Sequence, residues 1–217
     1  MINPYFHPLR KLILGFSVLV ISTKLVSQSD QKVQLDSLMS LINKPKDTSA
    51  INACLEVQKL YFFRGMFDSS LYYCDQGISL SERNKDFRMA DLLISAGRSY
   101  YMKSINDSAL LVLEKCKPFL SNQRDELIIG YNSVLASVYQ DKGMTDSAIH
   151  IFLQSLPVLE KPENSKLKHL LFNTYANIGN IFLKEARYDQ ALKYYDKAMA
   201  YKRFAQNNVH IIMLYQK

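Results

Sequence analysis

One short phrase recurs four times along the chain: Asp68-Ser-Ser-Leu71, Asp107-Ser-Ala-Leu110, Asp146-Ser-Ala-Ile149 and Asp189-Gln-Ala-Leu192, at intervals of 39, 39 and 43 residues. A period of that size is the mark of stacked supersecondary units, each able to bury its apolar stripe only against its neighbours. Every phrase opens a pattern of helical spacing, such as Ala148, Ile149, Phe152, Ser155 and Leu156. The aspartate supplies an acceptor and a negative charge where the first turn of a helix favours both. Composition agrees: 7 glycines and 6 prolines in 217 residues are too few for a many-stranded sheet, and 48% hydrophobic residues are too many for a disordered chain.

A second helical stretch precedes each phrase. Twelve residues before the small residue of three phrases stands another small residue: Gly97 before Ala109, Ala136 before Ala148 and Gly179 before Ala191. In the first unit these places hold Gln58 and Ser70, a weaker match. Three residues after each such place comes an aromatic, Tyr61, Tyr100, Tyr139 or Phe182. Gly65, Ser104, Gly143 or Ala186 then marks the turn. This pattern resembles the tetratricopeptide repeat, most closely in Tyr175-Ala-Asn-Ile-Gly-Asn-Ile-Phe182 with Tyr188-Asp-Gln-Ala191 and Tyr195-Asp-Lys-Ala198. The units run over about 51–84, 90–123, 129–162 and 172–205. Two features depart from the pattern. The leading tryptophan is replaced by Cys54, Leu93, Asn132 and Tyr175, and the intervals exceed the usual repeat of about 34 residues. The resemblance implies an all-α, right-handed solenoid of antiparallel helix pairs.

The family resemblance further implies that successive first helices line a concave groove for a partner protein or an extended peptide. Its groove places carry Asn52, Leu55, Lys59 and Phe62 in the first unit, and Asp91, Ile94, Arg98 and Tyr101 in the second. Ser133, Ser137 and Gln140 follow in the third, and Ala176 and Asn180 in the fourth. Lys59 and Arg98 occupy equivalent places with apolar Leu55 and Ile94 one turn before them, a combination suited to a segment that carries a carboxylate and an apolar side chain. The lysine and asparagine set by which some relatives clamp a C-terminal carboxylate is not reproduced.

The expected role is a non-catalytic binding scaffold with no cofactor. The four histidines share no motif with a nucleophile or carboxylate, and phosphate-loop, G-x-S-x-G, H-E-x-x-H and P-C-x-x-C signatures are absent from the sequence. Three widely spaced cysteines form neither a disulfide framework nor a zinc site, and Cys54 and Cys74 fall where the helices of the first unit pack together. The formal charge of +7 interleaves both signs, as in Glu82 to Arg88, which reads as a solvated surface and not a nucleic-acid site.

The N-terminus reads as an export signal, with Arg10-Lys11 followed by an apolar run of ten from Leu12 to Ile21. Cleavage is expected after residue 27 to 29, giving a periplasmic or otherwise exported protein. An uncleaved membrane anchor is the alternative, although Lys24 interrupts the stretch short of the roughly 20 residues of a span. Loss of residues 1–27 removes Arg10, Lys11 and Lys24 and lowers the net charge to +4. Residues 28–48 form a leader helix and linker, 49–206 the four hairpins, and 207–217 either the start of a fifth repeat or a capping helix. Long repeats after such a leader are similar to the exported sensor regions of bacterial two-component histidine kinases and related regulators. That similarity keeps open a second reading, a truncated sensory input region attached to a membrane through a missing C-terminal part.

Overall fold

The computed structural model describes residues 33–43, 48–121, 124–161 and 167–204. These residues form nine α-helices, beginning with α1 over 33–42. Four hairpins follow: α2 (Ser49–Phe63) with α3 (Phe67–Asn84), α4 (Met89–Met102) with α5 (Asn106–Cys116), α6 (Asp125–Asp141) with α7 (Thr145–Leu159), and α8 (Lys168–Lys184) with α9 (Tyr188–Met199). Short 3₁₀ turns extend the second and fourth hairpins at Lys117–Phe119 and Lys202–Phe204. Each hairpin falls on one of the units marked by the repeated phrase, and α1 falls within the predicted leader. The expected export signal and the 207–217 extension lie outside the described residues.

The four hairpin turns share one backbone solution. Gly65, Ser104, Gly143 and Ala186 take positive φ of 73°, 59°, 75° and 57°. Two amides then close each turn on the preceding helix, as when Gly143 N donates to Gln140 O at 3.1 Å and Met144 N to Tyr139 O at 2.8 Å. The left-handed residue ends one helix and the chain reverses into the next. Glycine takes this conformation freely, while Ser104 and Ala186 hold it against a steric penalty, so the turn is imposed by the packing of the hairpin as well as by residue choice.

The aspartate of the repeated phrase acts differently from the expectation. Asp68, Asp107, Asp146 and Asp189 lie in the first turns of α3, α5, α7 and α9, where their charge suits the helix dipole, but no side chain caps these helices. Asp68 instead pairs with Lys103 and Asp107 with Lys142 at 2.6 Å, so two of them reach across to the turn of the next hairpin.

Small residues bring the paired helices together. A Cβ on Gly179 would stand 2.7 Å from the Tyr195 ring and 3.3 Å from the Ala191 carbonyl, and one on Gly97 would stand 3.1 Å from Leu113. The first hairpin meets the same demand with hydrogen bonds. Buried Ser70 Oγ donates to Gln58 Oε1 at 3.2 Å and lies 3.0 Å from Ser99 Oγ, while Gln58 Nε2 donates to Ser95 Oγ at 3.1 Å. That network ties α2 and α3 to α4, and satisfying every member is what makes buried polar groups tolerable.

The apolar core is a string of neighbouring clusters. One gathers Ile51, Cys54, Leu80 and Leu92, the next Leu93, Leu113, Leu127 and Val138, and the last Ala136, Phe152, Leu171, Ile178 and Ala198. Helix α1 covers the open end of the first hairpin through Ile42, and the Tyr73 hydroxyl donates to the Met39 sulfur at 3.1 Å. The first helices α2, α4, α6 and α8 touch one another in succession, whereas the second helices are not in comparable contact. First helices therefore crowd the inside of a curve and second helices spread along its outside.

Candidate functional site

The inner face is built from α2, α4, α6 and α8, and the predicted groove residues divide on it into several groups. Asn52 and Lys59 are exposed, and Leu55, Phe62, Asp91 and Tyr101 are half-buried. Ser133, Ser137 and Gln140 are half-buried on α6. Ile94, expected to offer an apolar contact, is 3% exposed and belongs to the core between α4 and α6. Ala176 is buried likewise. Asn180 turns towards its own partner helix, where its Oδ1 accepts a 2.7 Å hydrogen bond from the Tyr195 hydroxyl. That contact engages its carbonyl in holding the hairpin rather than in lining an open groove.

The two predicted cations are not alike. Lys59 forms an exposed ion pair with Glu56 at 2.9 Å, one turn away on the same helix. Among the described residues, Arg98 has no carboxylate partner. Its guanidinium lies 6.0 Å from the Phe62 ring of α2, and one of its nitrogens is 3.9 Å from where a Cβ on Gly130 of α6 would be. Arg98 thus spans three consecutive first helices, and the absence of a side chain at Gly130 leaves room for it. Arg98 as a residue is exposed, yet the surrounding protein displaces water from its guanidinium, and desolvation lowers its pKa.

Carboxylates on the same face are already engaged. Burial raises the Asp91 carboxyl, while Arg124, 3.9 Å away, Lys59 and Arg88 work against that rise. Asp141 stands 4.0 Å from Lys184 of the next hairpin. Near it the Tyr101 hydroxyl is pushed up by burial and by the Asp141 charge, and a hydrogen bond with Ser137 opposes the shift. Among the described residues the face therefore offers Arg98 to an anionic guest, with the Phe62 ring at its side and the hydroxyls of Tyr101 and Ser137 a turn further on.

Two further features escaped the reading of the sequence. Asn173 stands at the interval that links it to Gly130 and Asp91, and its buried Oδ1 has no hydrogen-bond partner among the described residues. Counting the repeat interval onward from Asp91 would have found both. A second small-residue row, Gly77, Cys116, Ser155 and Ala198, recurs at the same intervals of 39, 39 and 43 and is buried in every hairpin. It lies opposite the places of the missing tryptophan: a Cβ on Gly77 would stand 3.1 Å from Cys54 Cβ, and Asn132 Nδ2 donates to Ser155 Oγ at 3.2 Å. Cys54, Cys74 and Cys116 are buried free thiols. Among the described residues no group of three or more His, Cys, Asp or Glu side chains is placed to hold a metal ion.

Comparison with known proteins agrees with this architecture. Residues 127–203 match the tetratricopeptide repeat family. No curated protein matches the chain. Among solved structures, MamA is similar over 85% of this chain and 96% of its own, with a TM-score of 0.56 and 16% identity. The tetratricopeptide-like repeats of a putative kinesin light chain from Podosopora anserina are similar over 88% of this chain and 98% of their own, with a TM-score of 0.55 and 14% identity. At those identities the likeness concerns the fold. The match over residues 127–203 and the likeness to these solved structures together give the fold, a stack of tetratricopeptide-like helical hairpins.

Proposed function

We propose that the protein is an exported scaffold whose inner face binds an extended segment of a partner protein, with Arg98 receiving a carboxylate of that segment. The observation that carries this reading is a guanidinium reaching across α2, α4 and α6 with no acidic partner among the described residues. A planar fork of donors on a partly desolvated wall binds a carboxylate more strongly than a fully hydrated ammonium does. Lys59, already paired with Glu56, has the lesser share.

The test is binding of fluorescent Gly/Ser-rich peptides carrying a single glutamate to the full chain. A charge-assisted hydrogen bond is worth about 1.5–3 kcal/mol, so Arg98→Glu should weaken binding at least tenfold while the helical circular dichroism is kept. Lys59→Glu should have a smaller effect. Equal affinities for the parent protein and the Arg98 variant would remove the inner face from the reading. Export rests on the basic segment and apolar run at Arg10 to Ile21, and a mature N-terminus near residue 28, read by mass spectrometry of the secreted fraction, checks it.

A further inference from the structure

The hairpin turns of the first two units carry large apolar side chains that the core does not use. Phe63 is 79% exposed, Met66 and Met102 are each 48% exposed, and Ile105 is 40% exposed. They occupy equivalent places, Phe63 with Met102 and Met66 with Ile105, one repeat interval apart. The Lys103 to Asp68 pair joins the second turn to the start of α3 beside the first, so the four side chains stand on two adjoining turns. The patch does not continue unchanged: the places of Phe63 and Met102 are taken by Asp141 and Lys184 in the later units, and those two are paired with each other.

This edge is continuous with the inner face. The Phe62 ring, beside Arg98, makes an edge contact with Phe63 at 5.8 Å between centroids and another with Phe67 at 5.5 Å. From the Arg98 guanidinium to the Phe63 ring is therefore at most about 12 Å, the reach of three to four residues of extended chain. An anion seat and an apolar seat at that separation read two features of a single segment.

We propose that Arg98 and the apolar edge of the first two turns form one composite site for an acidic peptide segment that carries bulky apolar residues three to four positions from its carboxylate. The inference rests on the inner-face reading given above and adds to it where the segment leaves the groove and what it carries there. Acidic character is matched to a guanidinium that has no acidic partner among the described residues, and the apolar residues to side chains that would otherwise stay in water. Both turn places are apolar only in the first two hairpins; in the third, exposed Met144 stands with Asp141, so the segment has one end of the scaffold assigned to it.

The experiment compares three peptides in a Gly/Ser host by fluorescence polarisation with the full chain: one with a single Glu, one with two Leu, and one with both at a separation of three to four residues. The combined peptide should bind at least tenfold more tightly than either single one. Phe63→Ser with Met102→Ser should bring its affinity down towards that of the Glu peptide, whereas Leu111→Ser, 60% exposed on α5, should leave it unchanged. Both edge residues are exposed, so the fold survives the change, and circular dichroism verifies it. A combined peptide no better than the Glu peptide overturns the composite site. If Arg98→Gln still weakens the Glu peptide in that case, the inner-face reading stands and only this inference fails; if Arg98→Gln is silent as well, both fail. Should the edge variant abolish a concentration-dependent dimer seen by analytical ultracentrifugation and leave peptide affinities alone, the patch is a contact between two copies and the inference is likewise overturned.

Discussion

Gly97 and Gly179 occupy equivalent places, yet the space around them differs enough to separate their substitutions. Alanine in a helix is favoured over glycine by about 1 kcal/mol, while overpacking a tight interface costs about 1–3 kcal/mol. At Gly179 the new methyl would press on a Tyr195 ring that is held by its hydrogen bond to Asn180, and nearly touch a backbone carbonyl. At Gly97 it would meet only Leu113 at 3.1 Å, with the Ala109 carbonyl 3.8 Å away. Gly179→Ala should therefore lower the stability read by urea unfolding, by about 1–2 kcal/mol, and Gly97→Ala should change it by less than about 1 kcal/mol. The three thiols are argued at the same scale. Burial pushes Cys54 up to about 11 and Cys74 and Cys116 up to about 12, so almost no thiolate is present at pH 8. A disulfide reagent should leave all three unmodified in the folded protein and titrate all three in denaturant.

At the scale of the element, the loop between α3 and α4 shows a local charge fixing the position of a helix. Asp86 Oδ1 accepts from both Arg88 N at 2.9 Å and Arg88 Nε at 2.7 Å, and the two side chains are only 9% and 12% exposed. The Arg88 guanidinium holds the Asp86 carboxyl below its ordinary range. A carboxyl depressed in the folded state stabilises the fold above its unfolded pKa of about 3.9, and that contribution is lost as pH falls through the lower folded value. Asp86→Asn should cost about 1.5–3 kcal/mol at neutral pH, and the gap between variant and parent should close below about pH 4 in a series of unfolding curves. Asp91, raised by burial, works in the opposite sense in both proteins and drops out of the difference. The hairpins themselves were legible from the repeated phrase, because helix period and turn residues are local properties. What stayed hidden depended on which face met which neighbour. Ile94 and Leu55 hold equivalent places, but α6 covers one and nothing covers the other to the same degree. The repeat register puts Asn180 on the groove, and spacing does not report that a tyrosine fifteen residues later reaches back to it. The mismatch at Gln58 and Ser70 was visible as a departure from the small-residue rule, while the serines that complete the network come from the next hairpin.

For the whole molecule, the decisive property is that, among the described residues, the substantial contacts are made within a hairpin or between adjacent hairpins. Two inter-hairpin ion pairs, Lys103 with Asp68 and Lys142 with Asp107, repeat the same connection at the first two junctions. At the third the lysine place is Glu185, which pairs with Arg187 of its own turn at 3.2 Å, and that junction is joined instead by Lys184 with Asp141 at 4.0 Å, by Lys168 Nζ donating to the Leu159 carbonyl at 2.9 Å, and by apolar packing around Phe152, Leu171 and Ile178. Phe152 is 1% exposed and sits among residues of α6, α7 and α8, and none of its cluster belongs to α2, α3 or α4. Truncating a buried phenylalanine costs about 3–5 kcal/mol, and in a stack of units that loss falls on the hairpins that share the cavity. Phe152→Ala should therefore strip hydrogen-exchange protection from α6 to α9 while amides of α2, α3 and α4 keep most of theirs. A uniform loss of protection along the chain would mean that the hairpins unfold as one unit and that the binding face cannot be loosened at one end alone. A confined loss would leave α2, α4 and the first two turns folded while the third and fourth hairpins open, and because α6 forms one wall around Arg98, affinity for the Glu peptide measured on that variant should then fall several-fold.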